Sequence, residues 1–311
     1  MDWLFVVAGL VILLIGGDVL VRGAVALAAR LGIPTLIVSL TVVAFGTSAP
    51  ELLIAIKAGF DGVPELALGN VVGSNTANVL LVLGVPALLF GLSVKDRDSV
   101  QNFIYMMLAT VAFIVLTYTS PIGRWQGVVM LLGLASILYT SYRAAMSSRS
   151  KLAELESEVG ETNIPTWKML GFLIAGLVSL PLGAGLLVDG AVNISRAFHV
   201  PEEIIGLTLV ALGTSLPELA TTVMAALRKE GDVAIGNVLG SNIFNLLGIV
   251  GVASLFGPMP VPSAFFQFDL WVMLASSLVL APFIIKQIPL SRIWGMVFLV
   301  CYGAYVVVLL T

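Results

Sequence analysis

Two polar blocks interrupt an otherwise apolar chain, and both occur twice. Residues 46–52 read GTSAPEL and residues 213–219 read GTSLPEL. Their companions are GNVVGSNTAN at 69–78 and GNVLGSNIFN at 236–245, so each block recurs 167 residues on. Such a duplication calls for a fold built from two equivalent halves. Each copy also sets a glutamate, Glu51 or Glu218, in a stretch apolar enough to cross a bilayer. A carboxylate at membrane depth is costly and marks a functional site by default. Two of them, framed alike by hydroxyls, amides and glycines, point to a cation site at a repeat interface.

A helix needs ~20 apolar residues to cross the hydrocarbon. Ten stretches qualify: 3–21, 35–58, 64–91, 100–119, 125–143, 169–191, 203–227, 233–256, 265–285 and 292–310. With 59% hydrophobic and only 11% charged residues, against about 25% charged in a soluble domain, the expected fold is an all-α integral membrane protein. The long polar stretch 144–167, Ser-rich and then acidic at Glu154, Glu156, Glu158 and Glu161, separates a first five-helix repeat (1–143) from a second (168–311). Five helices per half force the second half to insert upside down, giving two inverted repeats. The match extends from Gly23–Pro34 to Gly190–Pro201, and the last two helices of each half show none by eye. Twelve of the fifteen basic residues fall on one side if the N-terminus lies outside, and only Lys57, Arg124 and Arg196 on the other. Both termini are therefore expected on the extracytoplasmic face of the cell (inner) membrane, with 144–167 a cytoplasmic linker. The first apolar stretch lacks a basic leader and reads as a retained span.

Several classes of function are disfavoured. One cysteine, Cys301, leaves no internal disulfide, and one histidine, His199, argues against a His-ligated metal. No phosphate loop and no nucleophile–base pair is present, so the chain is not expected to be an enzyme or to carry a cofactor. No basic face suits nucleic acid. A hard cation held by oxygen remains.

Pro50 and Pro217 each lack a backbone donor, which is expected to release the carbonyls of Gly46 and Gly213. Thr47 and Glu51 are four apart, Ser48 is three before Glu51, and Ser74 and Asn78 are four apart; helical spacing puts each set on one face. Thr214, Ser215, Glu218, Ser241 and Asn245 repeat every element, and Gly69/Gly73 and Gly236/Gly240 have the spacing that lets helix backbones approach closely. Two carboxylates match one divalent ion, and Ca²⁺ takes about 6–8 oxygens. Without it the two charges need Na⁺ or H⁺.

These paired blocks over ten spans resemble the cation/Ca²⁺ exchanger superfamily, and within it the prokaryotic Na⁺/Ca²⁺ exchangers. The resemblance implies a secondary antiporter moving several Na⁺ against one Ca²⁺, with the first and sixth helices sliding over a fixed core. It implies Glu51 and Glu218 as shared carboxylates, Thr47, Thr214, Ala44 and Ala211 as carbonyl donors, and Ser48, Ser215, Ser74 and Ser241 as Na⁺-site residues. Many relatives pair an Asn with an Asp where this chain has Asn78 and Asn245. The missing carboxylate at Asn245 implies K⁺ independence. The proton-coupled branch carries an acid within its GNxxE motif, whereas Gly73 and Gly240 stand nearby here, which leaves H⁺/Ca²⁺ antiport as the alternative and a passive channel behind it. The expected partners are Ca²⁺, Na⁺ and the lipid bilayer, with no obligatory protein partner. Outside this set, Asn75 and Asn242 are expected to hold one helix to another, Asp18 and Arg22 to pair at a helix end, and Asp269 to have no role.

Overall fold

The computed structural model describes residues 2–60, 63–93, 98–119, 121–155, 164–199 and 211–310. Every regular element among them is a helix. In the first half, α1 (Asp2–Leu31) starts on an acidic residue and ends near Arg30, both of which suit the helix dipole. It stops at Gly32, whose φ of 64° only glycine adopts without strain. Next, α2 (Thr35–Thr47) and α3 (Ala49–Phe60) form a span bent by 44°. Then α4 (Pro64–Phe90) opens on a proline whose absent N–H would have gone unpaired there anyway. The half closes with α5 (Asp98–Thr117) and α6 (Arg124–Leu155). In the second half come α7 (Thr166–Ala197), the short turn α8 (Ala211–Thr214), α9 (Leu216–Leu227) and α10 (Gly231–Phe256). They are followed by α11 (Ser263–Gln267), α12 (Asp269–Ile285) and α13 (Arg292–Leu310).

Among the described residues seven helices are long and apolar enough to cross a membrane, and the bent pair α2–α3 makes an eighth. The shorter apolar helices α9 and α12 stand where the seventh and ninth spans were expected. Residues 203–210 of that seventh stretch, and Glu156, Glu158 and Glu161, lie outside the described residues. Three helices outrun the expected spans, α7 among them, which ends at Ala197 rather than 191. Helix α1 continues to Leu31 rather than 21, and α6 to Leu155 rather than 143, so the first part of the expected linker is helical. Both extensions are rich in Ala, Leu, Arg, Lys or Glu, which favour helix, so the helix outlasts the apolar run.

The halves correspond beyond the shared motifs. Shifted by 167 residues, α3 falls on α9, α4 on α10, α5 on α11–α12, and the start of α6 within a residue of α13. The last two helices of each half therefore follow the repeat even though their sequences show no match.

Contacts between halves are reciprocal. A Cβ on Gly9 would strike the Gly183 carbonyl and one on Gly176 the Gly16 carbonyl; Gly23 meets Leu173 and Gly190 meets Val6. Subtracting or adding 167 converts each pair into the other. Glycines at seven-residue spacing thus let α1 and α7 lie backbone to backbone. The antiparallel bridges Leu92–Leu290 and Ile122–Met259 repeat the pattern to within one residue. Exchange of partners of this kind is the mark of a two-fold relation between halves.

Burial sets the layers. The most apolar stretches of α4 and α10 are each 78% buried, against 33% for α1 and 17% for α13. The motif-bearing helices are therefore central. One apolar cluster runs through α4, α5, α9 and α10, and a smaller one joins α1, α2 and α7.

Candidate functional site

Both GTSxPEL blocks break a helix at the serine. Ser48 has φ −84° and ψ 7°, and Ser215 φ −85° and ψ 2°. Pro50 and Pro217 fall in the first two positions of the helix that follows, so they start α3 and α9 rather than kink a continuous helix. The break places Thr47 and Thr214 at helix C-terminal ends, where carbonyls gather. It places Glu51 and Glu218 in the first turns of α3 and α9, at the positive end of the helix dipole. The expected release of the Gly46 carbonyl is not what the structure shows: a backbone N–H at the cap takes it up. The Ala44 carbonyl likewise accepts from the Ser48 N–H at 3.0 Å and the Thr47 hydroxyl at 3.3 Å.

Glu51 and Glu218 are completely buried. Each lies within the other's electrostatic field, and among the described residues neither forms an ion pair with Lys or Arg. The Ser48 hydroxyl donates to Glu218 Oε1 at 2.9 Å, and Ser241 reaches the same oxygen at 3.5 Å. Glu218 Oε2 and both oxygens of Glu51 have no partner. The mirror hydroxyls, Ser215 and Ser74, are also buried without a partner, as are the Oδ1 atoms of Asn78 and Asn245. Almost every buried oxygen in a folded protein finds a partner. Here seven side-chain oxygens from the sequence-expected set lack one, and all seven can face a cation. Uncompensated, each buried carboxylate costs several kcal/mol.

The amides on α4 and α10 form a closed frame. Asn75 and Asn242 donate to each other's backbone carbonyls at 3.4 Å. Asn78 donates to Asn242 Oδ1 at 3.0 Å, and Asn245 to Asn75 Oδ1 at 3.1 Å. The expectation that Asn75 and Asn242 hold helix to helix matches this geometry. Both Asn78 and the segment at Asn245 lie where the helix widens to a π turn, over Asn78–Val82 and Phe244–Ile249. Such bulges recur at functional sites, and nothing in the residue pattern announced them.

Two residues of the motifs had been given no part. Asn237 donates to the Glu218 carbonyl at 3.4 Å and Thr222 at 3.1 Å and accepts from Thr47 at 3.2 Å. Its mirror Asn70 accepts from Thr214 at 3.3 Å. Their recurrence as the Asn of both GNVxGSN blocks was the available signal. Ala211 opens the turn that ends at Thr214. Close approach at Gly236 and Gly240 is as expected: an added Cβ would meet the Leu36 carbonyl and the Leu40 backbone of α2. Away from the site, Asp18 pairs with Arg22 at 3.0 Å and also with Arg228, just past the end of α9, and Asp269 accepts from Tyr305 at 3.1 Å.

The family model for sodium/calcium exchanger proteins matches residues 1–143 and 168–311. The chain is 35% identical to the putative antiporter CaxA of Alkalimonas amylolytica, over 97% of this chain and 96% of the relative. It is 32% identical to the sodium/calcium exchanger MaX1 of Methanosarcina acetivorans, over 99% and 98%. Among solved structures it superposes on the sodium-calcium exchanger NCX_Mj, soaked with zero Na⁺ and Ca²⁺, with a TM-score of 0.85 and 31% identity, covering 99% of this chain and 98% of that one.

Proposed function

The chain belongs to the sodium/calcium exchanger protein family, and from that premise we propose that it is a secondary antiporter exchanging Na⁺ for Ca²⁺ by alternating access, without K⁺. The observation that carries the reading is the group of seven unpartnered buried oxygens around two unpaired carboxylates. Two negative charges neutralise one Ca²⁺, and hydroxyl and amide oxygens complete a hard-cation shell. Glu51 and Glu218 are the shared carboxylates. Ser48, Ser74, Ser215, Ser241, Asn78 and Asn245 supply neutral oxygens. Thr47, Thr214, Ala44 and Ala211 supply backbone carbonyls, which at Ala44 requires the Ser48 N–H or the Thr47 hydroxyl to yield. Neither asparagine brings charge, which is the basis for K⁺ independence.

Exchange follows from the same charge count. With Ca²⁺ gone, the carboxylates are desolvated and repel each other, so Na⁺ must replace it before the site can cross to the other side. The reciprocal contacts at the 167 offset support two inverted five-helix repeats making ten spans. In this arrangement both termini lie on the extracytoplasmic side of the inner membrane, and the 144–167 linker on the cytoplasmic side.

The test is Ca²⁺ uptake into proteoliposomes loaded with Na⁺ and diluted into Na⁺-free medium, with K⁺-only and pH-gradient controls. Uptake that needs internal Na⁺, and is lost in Glu51→Gln and Glu218→Gln protein that still folds, is the expected result. Uptake driven by a pH gradient alone would move the protein to the proton-coupled reading.

A further inference from the structure

We propose that Asn75 and Asn242 are positioning residues: they lock the amides of Asn245 and Asn78 with the carbonyl oxygen turned to the ion site and the NH₂ turned away. The inference rests on the cation-exchange reading above and assigns those two residues a part in selecting what binds.

A side-chain amide has a donor end and an acceptor end that are nearly equal in shape, so an asparagine in a cation site is useful only if something holds its orientation. Here the orientation is forced from the backbone outward. The Asn75 main-chain carbonyl can only accept, so Asn242 must present its NH₂ there. The second hydrogen of that NH₂ faces the Met106 sulfur at 3.7 Å, again an acceptor. Asn242 Oδ1 is thereby left on the other side, where it too can only accept, and Asn78 must meet it with its NH₂. Asn78 Oδ1 then points the opposite way. The mirror chain runs from the Asn242 carbonyl and the Met273 sulfur through Asn75 to Asn245. A flip of any one amide would set donor against donor or acceptor against acceptor at a buried position, where a lost partner is not replaced by water. The four side chains are at most 1% exposed.

The two outcomes of the chain are the atoms left over. Asn78 Oδ1 and Asn245 Oδ1 are buried with no partner. Asn78 follows Ser74 by four residues and Asn245 follows Ser241 by four, so each shares a helix face with a serine of the site. Ser241 touches Glu218 on that face, and Ser74 Oγ is itself unpartnered. Both halves thus deliver a neutral acceptor, and no donor, to the ions.

A double-mutant cycle tests this. Asn245→Ala removes the amide itself and leaves Asn75 no orientation to hold. Asn75→Leu should raise the Na⁺ concentration for half-maximal exchange about tenfold in the parent protein, the scale of coupling inside one hydrogen-bond network. In the Asn245→Ala background the same change should shift it less than about twofold. A residue that merely holds α4 to α10 would weaken both backgrounds alike, and equal losses overturn the inference. The mirror cycle, Asn242→Leu with Asn78→Ala, gives a second reading and stands in if Asn75→Leu does not fold. Thermal stabilisation by added Na⁺ or Ca²⁺ is followed on the same samples. If the parent protein shows no Na⁺-driven Ca²⁺ uptake, the exchange reading fails, while the cycle read from ion-induced stabilisation still decides whether the amides are locked.

Discussion

Gly240→Ala places one methyl group where α10 crosses α2. An ideal Cβ there would lie 2.6 Å from the Ala44 Cβ and 2.8 Å from the Leu40 Cα, with the Leu40 carbonyl closer still. Ordinary contact begins at 3.4 Å, so α2 must retreat by about 0.8 Å, and overpacking of this kind costs about 1–3 kcal/mol. The retreat has a functional consequence, because the end of α2 carries Thr47 and Ser48. The Ser48 hydroxyl sits 2.9 Å from Glu218. Carried back by the same amount it would stand about 3.7 Å away, outside hydrogen-bond reach. A hydrogen bond to a charged group contributes about 1.5–3 kcal/mol, so its loss adds to the destabilisation, and Ca²⁺ affinity falls with it because Ser48 no longer stands where it supplies an oxygen to the ion. The assay is the Ca²⁺ dependence of Na⁺-driven uptake in proteoliposomes, beside thermal unfolding in detergent. Gly185→Ala is the control: its Cβ meets no described atom within 4 Å, and alanine in place of helical glycine favours the helix by about 0.8–1 kcal/mol. Gly240→Ala protein with parental melting temperature and Ca²⁺ affinity would refute the argument that the glycine sets the α2–α10 distance and, through it, the position of Ser48.

The two motif asparagines outside the amide frame should differ in cost. Asn237→Leu strips partners from Thr222, Thr47 and the Glu218 carbonyl, at about 1–3 kcal/mol for each group left unpaired. Asn70→Leu removes one acceptor, from Thr214. Thermal unfolding should therefore rank Asn237→Leu well below Asn70→Leu. Asp18→Asn removes the partner shared by Arg22 and Arg228, with Asp18 20% exposed. The loss should be about 1 kcal/mol or less, visible in melting curves at low ionic strength and absent in high salt.

The halves were legible where chemistry constrains sequence and illegible where only shape does. Glu51, Glu218 and their serines and asparagines recur because each must present one particular atom at one place. The last helix of each half is the least packed: the apolar stretch of α6 is 22% buried and that of α13 17%. Any apolar residue serves there, so the sequences have parted while the helix starts still coincide within a residue. Hydropathy marked apolar helices but not their ends, since α6 runs on to Leu155 after its apolar stretch is finished. The π turns at Asn78 and Phe244 left no trace, because a shift from the usual hydrogen bond to the Leu83 N–H→Asn78 carbonyl bond demands no special residue. The glycines at 9, 16 and 23 and at 176, 183 and 190 were in plain view. Their meaning depended on knowing that α1 faces α7.

The two-fold relation is kept in the frame and broken at the carboxylates. Asn75, Asn78, Asn242 and Asn245 bond as mirror pairs whose distances agree within 0.1 Å. Thr47 and Thr214 likewise meet Asn237 and Asn70 at 3.2 and 3.3 Å. Yet Ser48 bonds Glu218 while Ser215 leaves Glu51 alone. The breaks themselves have nearly the same backbone angles at Ser48 and Ser215, so the difference lies in where the side chains sit, and the residues beside them differ, Ala49 against Leu216. A site whose walls are symmetric and whose charged centre is not has a second arrangement of equal chemistry available to it, with Ser215 on Glu51.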